Sequence, residues 1–367
     1  MSQDYMREAL DLARQGVGRT SPNPAVGAVV VRDGVVVGRG FHTWEGVKHA
    51  EVLALEQAGE KARGATLYVT LEPCAHQGRT GPCTEAILAA GVSRVVVAME
   101  DPNPLVRGKG IARLRAAGVE VEWAEGYAEE AERLNEAYAH FMRSGLPLVT
   151  LKAAVTLDGK ISAPDDNQGW ITSERARAHV QQLRHRSDAI VTGIGTVLAD
   201  DCLMTDRSGL PRSRPLLRIV LDSQLRIPPA CRMVTSCRGD LLVVTTSAAS
   251  AERRRALENL GAQVLVLDGP DGRTDLRRLV QHLAEGKYQS LMIEAGSKVN
   301  WAALEQGIVD KIFFYYAPKI LGGLHSLPVV GGVGRRRRSE AIQFRGVRLH
   351  RITEDEFAVE AWMVKES

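Results

Sequence analysis

Cysteine, aromatic residues, long apolar runs and surplus charge are all scarce in this chain, and each scarcity excludes a class of protein. Five cysteines in 367 residues (positions 74, 83, 202, 231 and 237) are an odd number and too few for a disulfide framework. Aromatic residues make up 5%, and 47 basic residues are nearly balanced by 44 acidic ones, leaving +3. An editor of bases in transfer RNA would need a basic, aromatic-bearing face, so we expect no nucleic-acid partner. No run of about 18 apolar residues occurs, and the opening MSQDYMREALDLARQG is a charged amphipathic helix pattern without an apolar signal core. The expectation is a cytoplasmic protein of a reducing compartment with no membrane partner.

What is present suits an α/β protein of two domains, since 367 residues exceed one ordinary core. Residues 1–145 alternate between strand and helix patterns. Val26–Val31 and Val35–Val37 flank Arg32-Asp33-Gly34, which predicts a hairpin with Asp-Gly at its turn. A helix is predicted from His49, a strand over 66–71, a helix over TEAILAAG, and a buried strand over 93–99. EEAERLNEAYAHFMRSG reads as helix up to Gly145-Leu146-Pro147, the expected boundary. Residues 146–367 repeat the alternation, with Ser173 capping a helix and VRLHRITEDEFAVEAWMV forming a terminal antiparallel hairpin. The run Arg335–Arg338 reads as a solvated loop.

One constellation carries chemistry. His49-Ala50-Glu51 is followed by Pro73-Cys74 after a strand, then by Cys83 at a helix start. Catalytic zinc takes three protein ligands and keeps a fourth position for water, and His49, Cys74 and Cys83 supply three. Helix N-termini favour the thiolate form of both cysteines. No fourth Cys or His stands at a sensible spacing, which disfavours a closed structural site. Glu51, two residues from a ligand, is placed to move protons between water and a substrate nitrogen. Zinc deaminases carry H-x-E and P-C-x-x-C; here eight residues, AHQGRTGP, separate the cysteines instead of two. That insertion would carry His76 and Arg79 beside the metal, and an arginine there suits a phosphate or carboxylate.

In the second half, Gly193-Ile194-Gly195-Thr196 and Glu294-Ala295-Gly296-Ser297 each follow a strand and precede a helix, where backbone N–H groups can approach a phosphate. Two such junctions favour a dinucleotide, and neither is the G-x-G-x-x-G of a Rossmann domain.

TSPNPAVGAVVV, HAEVLAL, YVTLEPCAHQGRTGPC and DPNP, with LKAAVTLDGKISA, IEAGSKVNWAAL and APKILGG, together resemble the bifunctional riboflavin-biosynthesis deaminase–reductase family, RibD. The resemblance implies a cytidine-deaminase-like three-layer domain over 1–145 and a dihydrofolate-reductase-like α/β domain over 146–367. It implies zinc on His49, Cys74 and Cys83, Glu51 as proton shuttle, and NADPH as hydride donor. Asn23, His42, His76 and Arg79 would face a phosphorylated pyrimidine. Ala154, Trp170, Thr196, Asp200, Ser223, Gly296, Ser297, Lys298, Val299, Asn300, Trp301 and Ala302 would line the NADP site. Gln168, Arg184, Met204, Arg207 and Glu294 would face the second substrate, with Asp200 a candidate proton source. Cys202 and Ala295 stand where the family usually has proline and often glycine. A homo-oligomer is expected.

Overall fold

A computed structural model describes residues 4–78, 80–165 and 169–365, which form two compact units. The first is Met1–Gly145 with Pro211–Arg214; the second is Leu146–Leu210 with Pro215–Ser367. The short 211–214 segment departs from a simple division at residue 145. It joins the first unit through Ser213 N–H, which donates to Gly18 O (2.9 Å).

In the first unit α1 (Tyr5–Gly16) precedes the hairpin β1 (Gly27–Arg32) and β2 (Val35–Phe41). Asp33 and Gly34 both have positive φ, as the Asp-Gly turn requires. There follow α2 (Ala50–Ala58), β3 (Thr66–Val69), α3 (Cys83–Ala90), β4 (Arg94–Val97), α4 (Lys109–Ala116), β5 (Glu120–Trp123), α5 (Ala128–Leu134) and α6 (Glu136–Ser144). The sheet runs β2-β1-β3-β4-β5, with β1 antiparallel to both neighbours and β3, β4 and β5 parallel.

Glycines set how closely helices lie on this sheet. A Cβ on Gly40 would sit 2.2 Å from Ala50 O, and one on Gly38 2.0 Å from Ala54 O, so α2 rests directly on β2. Gly40 pairs with Ala28, whereas the neighbouring Gly27 meets Ala9 of α1. Successive strand residues face opposite ways, so α1 and α2 cover opposite faces and the unit has three layers.

The helix predicted across EEAERLNEAYAHFMRSG is broken at Asn135 into α5 and α6. The buried Asn135 amide pairs with both backbone groups of Ala25, at 2.7 and 2.9 Å, a contact 110 residues away that local propensity does not show.

The second unit comprises β6 (Leu148–Thr156), β7 (Lys160–Ser162), α7 (Glu174–Arg186), β8 (Ala189–Gly193), α8 (Ile194–Asp200), β9 (Leu217–Leu221), α9 (Arg232–Thr235), β10 (Leu241–Thr245), α10 (Ala251–Asn259), β11 (Gln263–Val266), α11 (Leu276–Glu285), β12 (Ser290–Ile293), α12 (Ser297–Glu305), β13 (Lys311–Ala317), β14 (Leu327–Pro328), β15 (Phe344–Arg351) and β16 (Phe357–Met363). Nine strands run β11-β10-β9-β8-β12-β6-β13-β16-β15, all parallel until β16, which is antiparallel to β13 and β15. β7 and β14 pair separately. Alternate residues feed separate cores: Val191, Ile219 and Val244 one, Ile190, Val220 and Val243 another. Strands apolar on both faces are what a helix-covered parallel sheet requires. Ser173 caps α7 by accepting from Ala176 N–H (3.2 Å). Arg335–Arg338 is exposed, with the Arg335 guanidinium 5.6 Å from the Trp301 ring centre.

Among the described residues, no helix is long and apolar enough to cross a membrane.

Candidate active site

His49 is the residue immediately before α2, Cys83 opens α3, and Cys74 lies in the loop after β3. Their ligating atoms all fall within 4.8 Å of one another, and no fourth His, Cys, Asp or Glu joins the group among the described residues. His49 Nδ1 is 3.1 Å from Cys83 Sγ and 3.6 Å from Cys74 Sγ; Cys83 N–H donates to Cys74 Sγ (3.3 Å). The hydrogen bond with Cys83 lowers Cys74 to about 4, while that contact and burial push Cys83 up. His49 is raised, chiefly by its hydrogen bond with Cys74. Two soft sulfurs and one imidazole converging at helix starts are a donor set that fits zinc.

Glu51, on the first turn of α2, is 4% exposed. Burial pushes its carboxyl up, the Cys74 charge adds to this, and His49 opposes it. Beside it, the His42 ring lies edge-on to His49 at 5.2 Å between centres. His42 Nδ1–H donates to Lys48 O (2.9 Å), which leaves Nε2 to accept from Asn23 Nδ2 (3.0 Å). The His42 ring thereby fixes the Asn23 amide. His76 is exposed. Arg79 lies outside the described residues, as does Gln168.

Sequence reasoning missed Glu72. Its buried carboxylate accepts four backbone N–H groups: Asp101 (3.2 Å), Gly108 (2.9 Å), Gly110 (2.9 Å) and Ile111 (3.2 Å). It thereby caps α4 and anchors the 101–108 loop. A Cβ on Gly110 would sit 1.9 Å from Pro73 O, so only glycine lets α4 meet the segment carrying Cys74. Asp101 accepts from Asn103 N–H (2.9 Å) and Tyr138 O–H (3.2 Å); burial raises its carboxyl against those bonds and the His76 charge.

In the second unit Arg184, Met204 and Glu294 come together. Glu294 Oε2 accepts from Arg184 Nη2 (2.9 Å) and Nε (3.1 Å), and Arg184 Nη1 donates to Thr205 O (2.9 Å). Met204 Sδ is 3.9 Å from Arg184 Nη2. Arg207 is exposed, its backbone N–H on Gln181 Oε1 (2.8 Å), and desolvation and the Arg184 charge lower its guanidinium. Lys152, absent from the expected set, completes the group: its Nζ is 3.0 Å from Glu294 Oε1. An apolar strand with one lysine was the available signal.

The two glycine junctions also meet. A Cβ on Gly193 would touch Val299 at 2.9 Å, and one on Gly296 would lie 3.8 Å from Thr196 Oγ1. Beside them is a cavity of about 400 Å³, whose walls include Ser223, Lys298, Val299 and Ala302. Asn300 is fully buried, donating to Val329 O (2.7 Å); Ser297 is likewise buried, and Trp301 packs beneath Gly332. Asp200 is solvent-exposed at the end of α8, and partial desolvation raises its carboxyl. Ala154 is half-buried on β6, while Trp170 is 69% exposed under the Arg177 guanidinium.

A family model described as the RibD C-terminal domain matches residues 147–356, and one described as the cytidine and deoxycytidylate deaminase zinc-binding region matches residues 1–99. The chain is 43% identical to riboflavin biosynthesis protein RibD of Actinobacillus pleuropneumoniae over 343 residues, covering 93% of this chain and 90% of that protein. It is 42% identical to RibD of Aquifex aeolicus over 356 residues, covering 97% of each. Among solved structures, Acinetobacter baumannii RibD superposes with TM-score 0.86 at 36% identity, covering 98% of both chains. A deaminase/reductase from Thermotoga maritima gives 0.80 at 33% identity, again covering 98% of both.

Fold and site define a class: a cytidine-deaminase-like zinc domain followed by a dihydrofolate-reductase-like α/β domain. The chain belongs to the RibD family. It is a bifunctional enzyme of riboflavin biosynthesis, a zinc-dependent deaminase and NADPH-dependent reductase acting on small phosphorylated pyrimidines.

Proposed function

We propose that residues 1–145 carry the deaminase and residues 146–367 the reductase, with His49, Cys74 and Cys83 holding zinc and Glu51 moving protons. The first step replaces the 2-amino group of 2,5-diamino-6-(5-phosphoribosylamino)pyrimidin-4(3H)-one by oxygen, giving 5-amino-6-(5-phosphoribosylamino)uracil and ammonia. Bound zinc supplies Lewis acidity that acidifies a water molecule. Glu51 takes a proton from the attacking water and returns protons to the departing nitrogen. Its shielding from solvent keeps that proton from exchanging with bulk water. Asn23, held by His42, offers its amide to the pyrimidine, and His76 and Arg79 serve the ribose phosphate.

In the second step NADPH supplies hydride to C1′ of the opened ribosyl group. Arg184 and Glu294 orient that group, Lys152 holds Glu294 in place, and Met204 and Arg207 complete the substrate wall with Gln168. Asp200, at the end of α8, is the proton source. Thr196, Ser223 and residues 296–302, with Ala154 and Trp170, take the cofactor. The enzyme works in the cytoplasm as a homo-oligomer; the edge strand β15, with Val347 and Leu349 exposed, is a surface suited to a second copy.

The observation that carries the deaminase assignment is two sulfurs and one imidazole converging beside a buried glutamate that is not one of them. The test is order of addition. Purified protein given the diaminopyrimidinone should release ammonia before any NADPH is supplied, and absorbance at about 340 nm, the reduced nicotinamide band, should fall only afterwards. NADPH consumption preceding ammonia release would refute the order.

A further inference from the structure

The cavity beside the two glycine junctions has a wall of one charge sign. Arg226, Arg273 and Lys298 line it together with the hydroxyl residues Ser223 and Thr274, and among the described residues no carboxylate does. Among the described residues, neither Arg273 nor Lys298 has a carboxylate within ion-pair distance. Arg226 has only Asp222, with 4.0 Å between Nε and Oδ1.

Three features of the chain build this wall. β8 and β9 are parallel neighbours, Gly193 opposite Leu221, so the turn at 193–196 and the loop from Asp222 leave the same sheet edge side by side. At the end of the strand next to such a glycine turn, a dinucleotide site places the group that meets the adenosine ribose: a carboxylate for a free 2′-hydroxyl, a cation for a 2′-phosphate. Here the carboxylate at that position, Asp222, does not line the cavity. Asp222 is fully buried and its Oδ2 accepts Ile227 N–H (2.7 Å), closing its own loop, while the Arg226 side chain remains 54% exposed. Opposite, a tight turn presents Arg273. Gly269 N–H donates to Arg273 O (2.9 Å), Arg273 N–H donates to Pro270 O (3.1 Å), and Asp268 bridges to Thr274. Lys298 comes from the first turn of α12, whose positive dipole end also favours an anion. Apolar Val299 and Leu276 furnish walls on which an adenine can rest.

We propose that this cavity takes the adenosine end of NADPH and that Arg226 and Arg273, with Lys298, clamp its 2′-phosphate, so that these two arginines set the preference for NADPH over NADH. The proposal rests on the reductase reading above. A phosphate dianion gains charge-assisted bonds from planar guanidinium groups, whereas the hydroxyl of NADH finds no carboxylate to accept its proton.

The test is calorimetric titration of the intact protein with adenosine 2′,5′-bisphosphate and with 5′-AMP, together with KM for NADPH and NADH. The unaltered protein should bind the bisphosphate about 10- to 100-fold more tightly than AMP. In the Arg226→Gln/Arg273→Gln protein that advantage should collapse, and the NADH-to-NADPH ratio of KM values should fall about tenfold or more. Arg226→Lys/Arg273→Lys should restore part of it. A bisphosphate advantage surviving in the double glutamine protein, with NADPH still consumed, would overturn the clamp and leave the reductase reading standing. Failure of the unaltered protein to bind or oxidise NADPH would overturn both.

Discussion

Replacing Glu51 by glutamine should leave zinc bound and slow ammonia release by about 10²- to 10⁴-fold. The three ligand atoms lie within 4.8 Å of one another and Glu51 is not among them, so the metal keeps all its protein ligands. Glutamine fills the same volume on the first turn of α2 and preserves the packing of the buried side chain. What it removes is a group that can take a proton from water and return it to nitrogen. Zinc content by mass spectrometry and ammonia release, measured on one preparation, check both halves. Undiminished release would exclude the shuttle role, and lost zinc would mean that Glu51 holds the site together rather than working in it.

Glu294→Gln should cost the second unit roughly 3–5 kcal/mol of stability, because it leaves two buried cations without their counter-charge. Both Lys152 and Arg184 side chains are only 8% exposed. Burial alone would raise the Glu294 carboxyl, yet the two cations outweigh it and hold it at about 2. Its stabilising contribution is therefore complete above the ordinary glutamate value of 4.5 and is lost as pH falls toward about 2. NADPH oxidation should fall about 10²-fold, since Arg184 loses the group that aims it. Adding Lys152→Met to Glu294→Gln should recover much of the stability, since one uncompensated cation goes, without restoring reduction. Denaturant unfolding and the 340 nm rate, compared across the single and double variants, read the two effects separately. An unchanged rate in Glu294→Gln would remove Glu294 from the reductase site.

The clustering of His49, Cys74 and Cys83 was legible in the sequence because its signal is chemical: H-x-E, then P-C, then a second cysteine before a helix pattern. The Asp-Gly hairpin and the Ser173 cap were legible because their partners are within a few residues. What escaped depends on contacts distant in sequence. Lys152 meets Glu294 across 142 residues, and the lone lysine in an apolar strand does not say which carboxylate it will meet. Glu72 reads as one more acidic residue until its carboxylate is seen gathering backbone N–H groups from 29 to 39 residues downstream. Asn135 looks like a tolerable helix interior residue until Ala25 claims its amide. The return of residues 211–214 to the first unit likewise depends on chain folding that local pattern does not encode. Trp170, Asn300 and Trp301 came from the resemblance alone; one is exposed and two are packed within the unit.

Zinc-edge X-ray absorption on the purified protein tests the central arrangement most directly. It should report two sulfur ligands at about 2.3 Å, one imidazole nitrogen at about 2.0–2.1 Å, and one further light atom at a similar distance. A third sulfur, a second imidazole, or a metal bound without sulfur would contradict it.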